Sequence, residues 1–442
     1  MSINSPADNP AGYITAQGFT SQLNGLTQAI SNANQGVSLL QTAQGAITQQ
    51  VSVVQQLNSI AVQAANGTQT AAESQSLQTL ASQLTGQVST IASQTQFNNI
   101  NLLDGTFNGK QFQVGANEGQ TMTLSIGNTS ASNIGMYATG MAAAYKTGSN
   151  TASAAVSAAG KYTAGAVSIT GPTGGSASFT ATATESAAAV AAAVNNVSGT
   201  TGVQAEATNT ATYSLAAGTT DGMYGFSLQA SGAAGTIGGV VKVNASSLSE
   251  AVSQINQQTS TSGVVASSAS GNLTLAQETG NNIKFTAVGT AASGGVVTQK
   301  GGAAVAAADI QQGQVQFQSS AAFSVGGAGS VGNSAATLNS LAAINVGTTA
   351  GANQAINVIK YALAGLNNQG GQLGAVQQSL TANINNMNTT SQNLNTALGV
   401  VQDANIPAVS NKLTQSQIQA QAGVAALKSS TQLQQSYLSL LP

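Results

Sequence analysis

The stretch from Ser21 to Ala65 constrains the fold of this chain more than any other. Leu23, Leu26, Ile30, Ala33, Val37 and Leu40 recur at alternating spacings of three and four, and Ala43, Ile47, Val51, Val54, Leu57 and Ala61 carry the line on. That spacing puts these side chains along one side of a single helix. A near-heptad seam of this length is the pattern of a helix packed lengthwise on other helices. The intervening positions are Gln, Asn, Ser, Thr and Gly, and no charged residue lies between Asp8 and Glu73. A solvated coiled coil normally lays Glu and Lys along its flanks, and this one does not.

Such a helix is unstable alone. Gly25, Gly36 and Gly45 each cost about 1 kcal/mol relative to Ala. Burying the apolar line, at about 1.5–3 kcal/mol per side chain, offsets this only with a partner along the full length. The partner is expected at the other end of the chain. There GANQAINVIKYALAGLNNQGGQLGAVQQSL leads into Leu380, Ile384, Met387, Leu394, Leu398 and Val401, again three and four apart. Pro407 interrupts this seam, because proline lacks a backbone donor and disfavours helix at Ile406. A last amphipathic helix runs to about Leu438 and uses Val409, Leu413, Ala420, Val424 and Leu427.

Between the two ends the patterning changes twice. Residues 1–12 form a turn region, and the first helix is expected to stop at Asn66–Gly67, a C-cap pair. A second helix spans about 71–94, with Leu77, Leu80, Leu84, Val88 and Ile91 on one face. Phe112, Val114, Met122, Leu124 and Ile126 then read as a hairpin turning at Asn117–Gly119. From about 131 to 340 come short β-prone runs separated by Gly, Ser and Thr. They contain a diverged repeat at an offset of 61 residues, pairing Ala187 with Leu248, Val194 with Ile255, Asn195 with Asn256 and Gly202–Val203 with Gly263–Val264. Strand-like pairs follow, ATYSLAA with YGFSLQA and NLTLAQ with NIKFTAV. Each copy reads as a short helix among strands.

Charged residues are 5% of the 442 residues, with nine basic side chains, all Lys, and no His or Cys. A net charge of −2 leaves no electrostatic case for binding nucleic acid or an anionic membrane. Without Cys and His, disulfides, most zinc sites and thiol or Ser-His nucleophiles are excluded, and the acidic residues are scattered singly. No catalytic, cofactor or metal site is expected, so the chain is not read as an enzyme. The sequence has no run of transmembrane length and no charged-then-apolar signal peptide. Hydrophobic chain ends with so little charge imply burial by other copies of the chain.

Near the start of the chain stand INSPADNPAG, FTSQLNGLTQAISNANQGVSLLQTAQGAI, IAVQAANGT, SQTQFNNINLLDG and FQVGANEGQTMTLSIG, and near its end LAAINVGTTAGANQAINVIKYALAGLNNQGGQLGAVQQSL, QDANIPAVSNKLTQSQIQAQAG and the closing SYLSLLP. Together these blocks resemble bacterial flagellin. They span about 3–130 and 340–442, and the repeat in the middle resembles, more loosely, insertion units of some flagellins. The resemblance implies an α+β fold, with long terminal helices in a rod-like coiled-coil bundle and a β-rich central insertion. Residues 1–130 would supply the N-terminal part of the rod with its hairpin, and 131–340 the outer domain or domains. Residues 341–405 would supply the C-terminal part of the rod, and 406–442 an inner-core helix. The helices at 13–65, 71–94 and about 353–405 would form the bundle.

The function this implies is a structural subunit, secreted without a cleaved signal, that polymerises into the flagellar filament for swimming motility. Its partners would be other copies of itself, the flagellar export apparatus, a chaperone and a cap protein, with no cofactor, nucleic acid or membrane. Packing in the rod and the filament would rest on Leu23, Leu26, Ile30, Val37, Leu40, Leu380, Ile384, Leu394, Leu398, Val409, Leu413, Val424 and Leu427. Family members carry a further N-terminal helix that pairs with the C-terminal one, whereas this sequence starts at the equivalent of the link into the rod. The corresponding expectation has two forms: a start that is truncated or mis-set, or a chain that cannot make the complete inner core. In many flagellins the segment matching Gln55–Ile60 reads QRVREL and resembles the surface gripped by the flagellin-sensing Toll-like receptor. Here the charged positions fall on Gln56, Asn58 and Ser59, the Leu on Ile60, and a nearby acidic position on Gln87. The alternatives are a hook–filament junction protein, which shares helical ends, and a surface adhesin or glycan-binding protein using the insertion. The QTQFN and QVGANEG blocks favour flagellin over the former, and the scattered aromatics give the latter no binding platform.

Overall fold

A computed structural model describes residues 3–139, 164–172, 174–181, 185–215, 224–232, 235–236, 239–287, 297–299, 309–327 and 335–438. The chain divides into two units: Met1–Gln44 with Phe107–Ile126 and Gln372–Pro442, and Gly45–Thr106 with Gly127–Gly371.

Helix α1 runs from Pro10 to Ala64. Asn9 caps it, its Oδ1 accepting from the Gly12 amide at 3.0 Å, and Pro10 sits where a missing donor costs nothing. Leu26, Ala33, Leu40, Ala43, Ile47, Val54, Leu57 and Ala61 are buried, and Leu23, Ile30, Val37 and Val51 are half-buried. The buried face is wider than the predicted line, because Ala29, Leu39, Val53, Ile60 and Ala64 are also buried. The expected C-cap does not form. Gly67 lacks the left-handed φ such a cap needs, and the helix instead leaves through a turn in which the Asn66 amide donates to Gln63 O.

Helix α2 (Ala71–Gln94) opens with a reciprocal cap between Thr70 and Glu73. The Thr70 amide and hydroxyl both donate to the Glu73 carboxylate, holding it below the usual carboxylate range. Its core-facing line is Ala81, Thr85, Val88 and Ala92. The predicted leucine face is shifted: Leu77, Leu84 and Ile91 are half-buried flanks, and Leu80 is 43% exposed. Gln50 of α1, fully buried, donates to Val88 O at 3.0 Å and to Thr129 O at 3.2 Å.

Strands β1 (Gln96–Phe97) and β2 (Ile100–Asn101) make a tight hairpin through Asn98 and Asn99, both at positive φ. Strands β3 (Lys110–Gln113) and β4 (Thr121–Leu124) form the predicted second hairpin, with Phe112 opposite Met122. In the first unit this hairpin meets α1 and the C-terminal seam at Gly36. A Cβ there would stand 3.2 Å from Leu380 Cδ1 and 3.5 Å from Phe112 Cδ1.

The insertion is bracketed by β5 (Gly135–Ala138) and, far along the chain, β19 (Thr337–Ser340), which pair antiparallel. Next come β6 (Gly165–Thr170), β7 (Ser176–Ala181), α3 (Ala187–Asn196), α4 (Ser198–Thr201) and the long β8 (Gln204–Leu215). The second copy follows: β9 (Tyr224–Gly232), β10 (Gly235–Thr236), β11 (Val241–Ala245), α5 (Leu248–Gln257), α6 (Thr259–Ser262), β12 (Val265–Ala269), β13 (Asn272–Gln277) and β14 (Asn282–Ala287). Strands β15 (Val297–Gln299), β16 (Asp309–Gln311), β17 (Gln314–Ser319) and β18 (Ser324–Gly327) complete the set. In the first copy β18, β6 and β7 form one sheet, while β17 pairs with the first half of β8. In the second copy β14, β9 and β11 repeat that sheet, while β13 pairs with β12 on one side and the second half of β8 on the other.

Details of the first stretch recur in the second side chain by side chain. Ser186 and Ser247 cap α3 and α5. Asn195 clasps the backbone of Ala205, accepting from its amide at 2.8 Å and donating to its carbonyl at 3.0 Å. Asn256 does the same to Ala266, at 2.7 and 2.9 Å. Gly202 and Gly263 both turn the chain at left-handed φ, +67° and +68°, a conformation open to glycine at little cost. The strand matches need correcting: NLTLAQ corresponds to QVQFQS of β17, and NIKFTA to the run beginning at β18. The second copy lies inside the first, so every correspondence beyond β8 changes offset.

Helix α7 (Thr349–Gln402) and α8 (Ile406–Leu438) close the chain. In α7, Ala355, Val358, Ile359, Tyr361, Leu366, Leu373, Leu380 and Met387 are buried. Burial fades toward the end of the helix, with Ile384, Leu394, Leu398 and Val401 half-buried and Val400 80% exposed.

Candidate self-assembly surface

Asn405 starts α8, its Oδ1 accepting from the Ala408 amide at 3.2 Å. Pro407 thus lies in the first turn, where helices tolerate it. From Ile406 to Ser436 every side chain is exposed. These include Ile406 at 70%, Val409 at 52%, Leu413 at 58%, Val424 at 57% and Leu427 at 68%. At about 100° per residue these positions fall within roughly 60° of one another around the helix. Ile418 and Leu433, also exposed, lie off that stripe. Apolar side chains thus stand on more than one face of the helix.

The predicted packing residues therefore separate into two groups. Leu23, Leu26, Ile30, Val37, Leu40, Leu380, Ile384, Leu394 and Leu398 are buried or half-buried within the single chain, whereas Val409, Leu413, Val424 and Leu427 are exposed. On the receptor-matching segment, Gln56 and Ser59 are exposed, Asn58 is half-buried, and Gln87 of α2 is exposed. Ile60 turns inward and is only 8% exposed.

Sequence reasoning missed a polar clasp between the sheet and α7. Tyr361 donates to Gln204 Oε1 at 3.1 Å, and Asn357 and Gln318 both donate to Glu206 Oε2, at 3.1 and 3.0 Å. Burial, with the Glu206 charge adding to it, pushes the Tyr361 hydroxyl up to about 12. No periodicity announces such a contact between residues so far apart in the chain. Among the described residues, no group of His, Cys, Asp and Glu stands close enough to hold a metal, and no helix is long and apolar enough to cross a membrane.

The bacterial flagellin N-terminal helical region matches residues 1–108, and the bacterial flagellin C-terminal helical region matches residues 356–441. B-type flagellin of Pseudomonas aeruginosa is 34% identical over 99% of this chain and 92% of its own length. The chain belongs to the bacterial flagellin family. Flagellin B of Vibrio cholerae is 38% identical over 28% of this chain and 33% of its own length. Among solved structures, FliC from Burkholderia pseudomallei is 22% identical, covering 78% of this chain and 99% of its own, with a TM-score of 0.33. This flagellin is a structural, non-enzymatic subunit of the extracellular flagellar filament, and family membership implies self-polymerisation.

Proposed function

We propose that this flagellin joins the filament chiefly through α8 and the thinly buried end of α7, with residues 406–442 becoming an inner-core helix surrounded by neighbouring copies. The observation that carries this reading is that every side chain from Ile406 to Ser436 is exposed, with an apolar stripe among them. Fully burying each of Val409, Leu413, Val424 and Leu427 contributes about 1.5–3 kcal/mol to a helix that is marginal in water on its own. Residues 1–130 and 341–405 supply the rod, and 131–340 the outer domains. On this reading the chain leaves the cell unfolded through the flagellar export apparatus, escorted by a chaperone, and is added beneath a cap protein. The decisive variant is Leu413→Asp with Val424→Asp. It is expected to keep the helical circular dichroism of the monomer and to abolish filaments under electron microscopy. Filaments of normal length from the double variant would refute the role of α8.

A further inference from the structure

The two copies of the insertion unit differ in one place that their common register locates to a residue. In the first copy β8 pairs with β17, with Gln204 opposite Gln318 and Thr208 opposite Gln314. In the second copy β12 pairs with β13, with Val265 opposite Ala276 and Ala269 opposite Asn272. Gln204 and Thr208 become Val265 and Ala269 at the same offset of 61 that relates Asn195 to Asn256. The ladders are therefore equivalent rung for rung. Beyond them the match resumes: Val325 faces Ile169 in the first copy, and Ile283 faces Ala230 in the second. The cores correspond too, with Val315 and Phe317 of the first copy taken by Leu273 and Leu275, all fully buried. Between the two equivalent rungs, the first copy holds residues 209–313, which contain the whole second copy together with β15, β16 and the end of β8. The second copy holds only Ser270–Gly271, a tight turn with both residues at positive φ.

We infer that Ser270–Gly271 is an acceptor site for a further unit of this type, the position at which the chain can lengthen by one more nested copy. The geometry meets the requirements. Ala269, Ser270 and Gly271 are exposed, and no atom lies within 4 Å of a Cβ built on Gly271. The rungs flanking the turn are ladder partners, so an inserted unit leaves and re-enters at adjacent points and the loop-closure cost grows only slowly with its length. The first copy shows what happens to the strand: β8 runs unbroken from its own unit into the inserted one, where residues 209–214 pair with β13. The alternating burial holds throughout, with Ala205 and Ala207 in one core and Ala211 and Tyr213 in the next. An unbroken alternation keeps the apolar side of one strand inward in both units.

Two full-length variants test this by amide exchange and thermal unfolding of the monomer. In the first, residues 209–313 are removed and Thr208 is joined to Gln314 through Ser-Gly. In the second, a duplicate of residues 209–313 replaces Ser270–Gly271. The first is expected to retain amide protection at Val190, Val194 and Val315. The second is expected to retain protection in both existing units and to add protected amides in the duplicate, beginning in the strand that continues β12. Loss of protection at Val190, Val194 and Val315 in the first variant would overturn the nesting as the basis of the inference. Loss of the host unit, or a duplicate whose first strand stays unprotected, would overturn the acceptor site even if the first variant folds.

Discussion

At the scale of single residues, the Asn195 and Asn256 side chains substitute for a strand. Each offers one donor and one acceptor to the backbone of a β-residue ten positions on. Asn256→Ala leaves the Ala266 amide and carbonyl unmatched, so a loss of about 1–3 kcal/mol is expected. Urea unfolding of the monomer measures it, and Asn256→Asp does not rescue it, because a carboxylate cannot donate to the Ala266 carbonyl. The receptor-matching segment is also a residue-scale question. Gln56 and Ser59 are exposed and uncharged, where the resemblance to flagellin would place Arg and Glu. Lost charge-assisted bonds at an interface cost on the order of 2–5 kcal/mol each. Weak activation of the flagellin-sensing receptor is expected in a cell reporter assay, with a gain in Gln56→Arg plus Ser59→Glu. Full potency of the unaltered chain would contradict it.

At the scale of elements, the glycines of α1 are not equivalent, although propensity treats them alike. A Cβ on Gly25 would lie 2.9 Å from Ala116 Cβ and 3.3 Å from its Cα, whereas Gly45 has nothing within 4 Å. Gly45→Ala is expected to stabilise the monomer by up to about 1 kcal/mol, while Gly25→Ala destabilises it despite the same propensity gain. Paired thermal melts decide the matter, and equal shifts would refute the packing at Ala116. The four long helices were legible because a three-and-four spacing sustained over many turns fits a helix and does not fit a strand. The face of α2 was not, because Ala81 and Thr85 carry little hydrophobic signal while the flanking leucines carry much. The Thr70–Glu73 cap was present in the sequence as T-x-x-E and is a recognisable helix start. The first half of each repeat was visible at one constant offset. Its second half was hidden, because the nested copy separates β8 from β17 and breaks that offset.

At the scale of the whole molecule, apolar side chains are distributed unevenly between the parts of the chain. The two repeat cores bury Phe317, Tyr213, Phe226 and Phe285, the last three in successive stacked contacts. Helix α8 buries nothing over Ile406–Ser436. An uncovered helix of this composition is marginal in water. On the proposed reading, α8 gains its order on assembly. Amide hydrogen exchange across residues 406–436, compared between dilute monomer and assembled filament, tests it most directly. Fast exchange along the whole segment in the monomer and strong protection in the filament are the predicted result. Strong protection already present in the dilute monomer, or no gain on assembly, would contradict it.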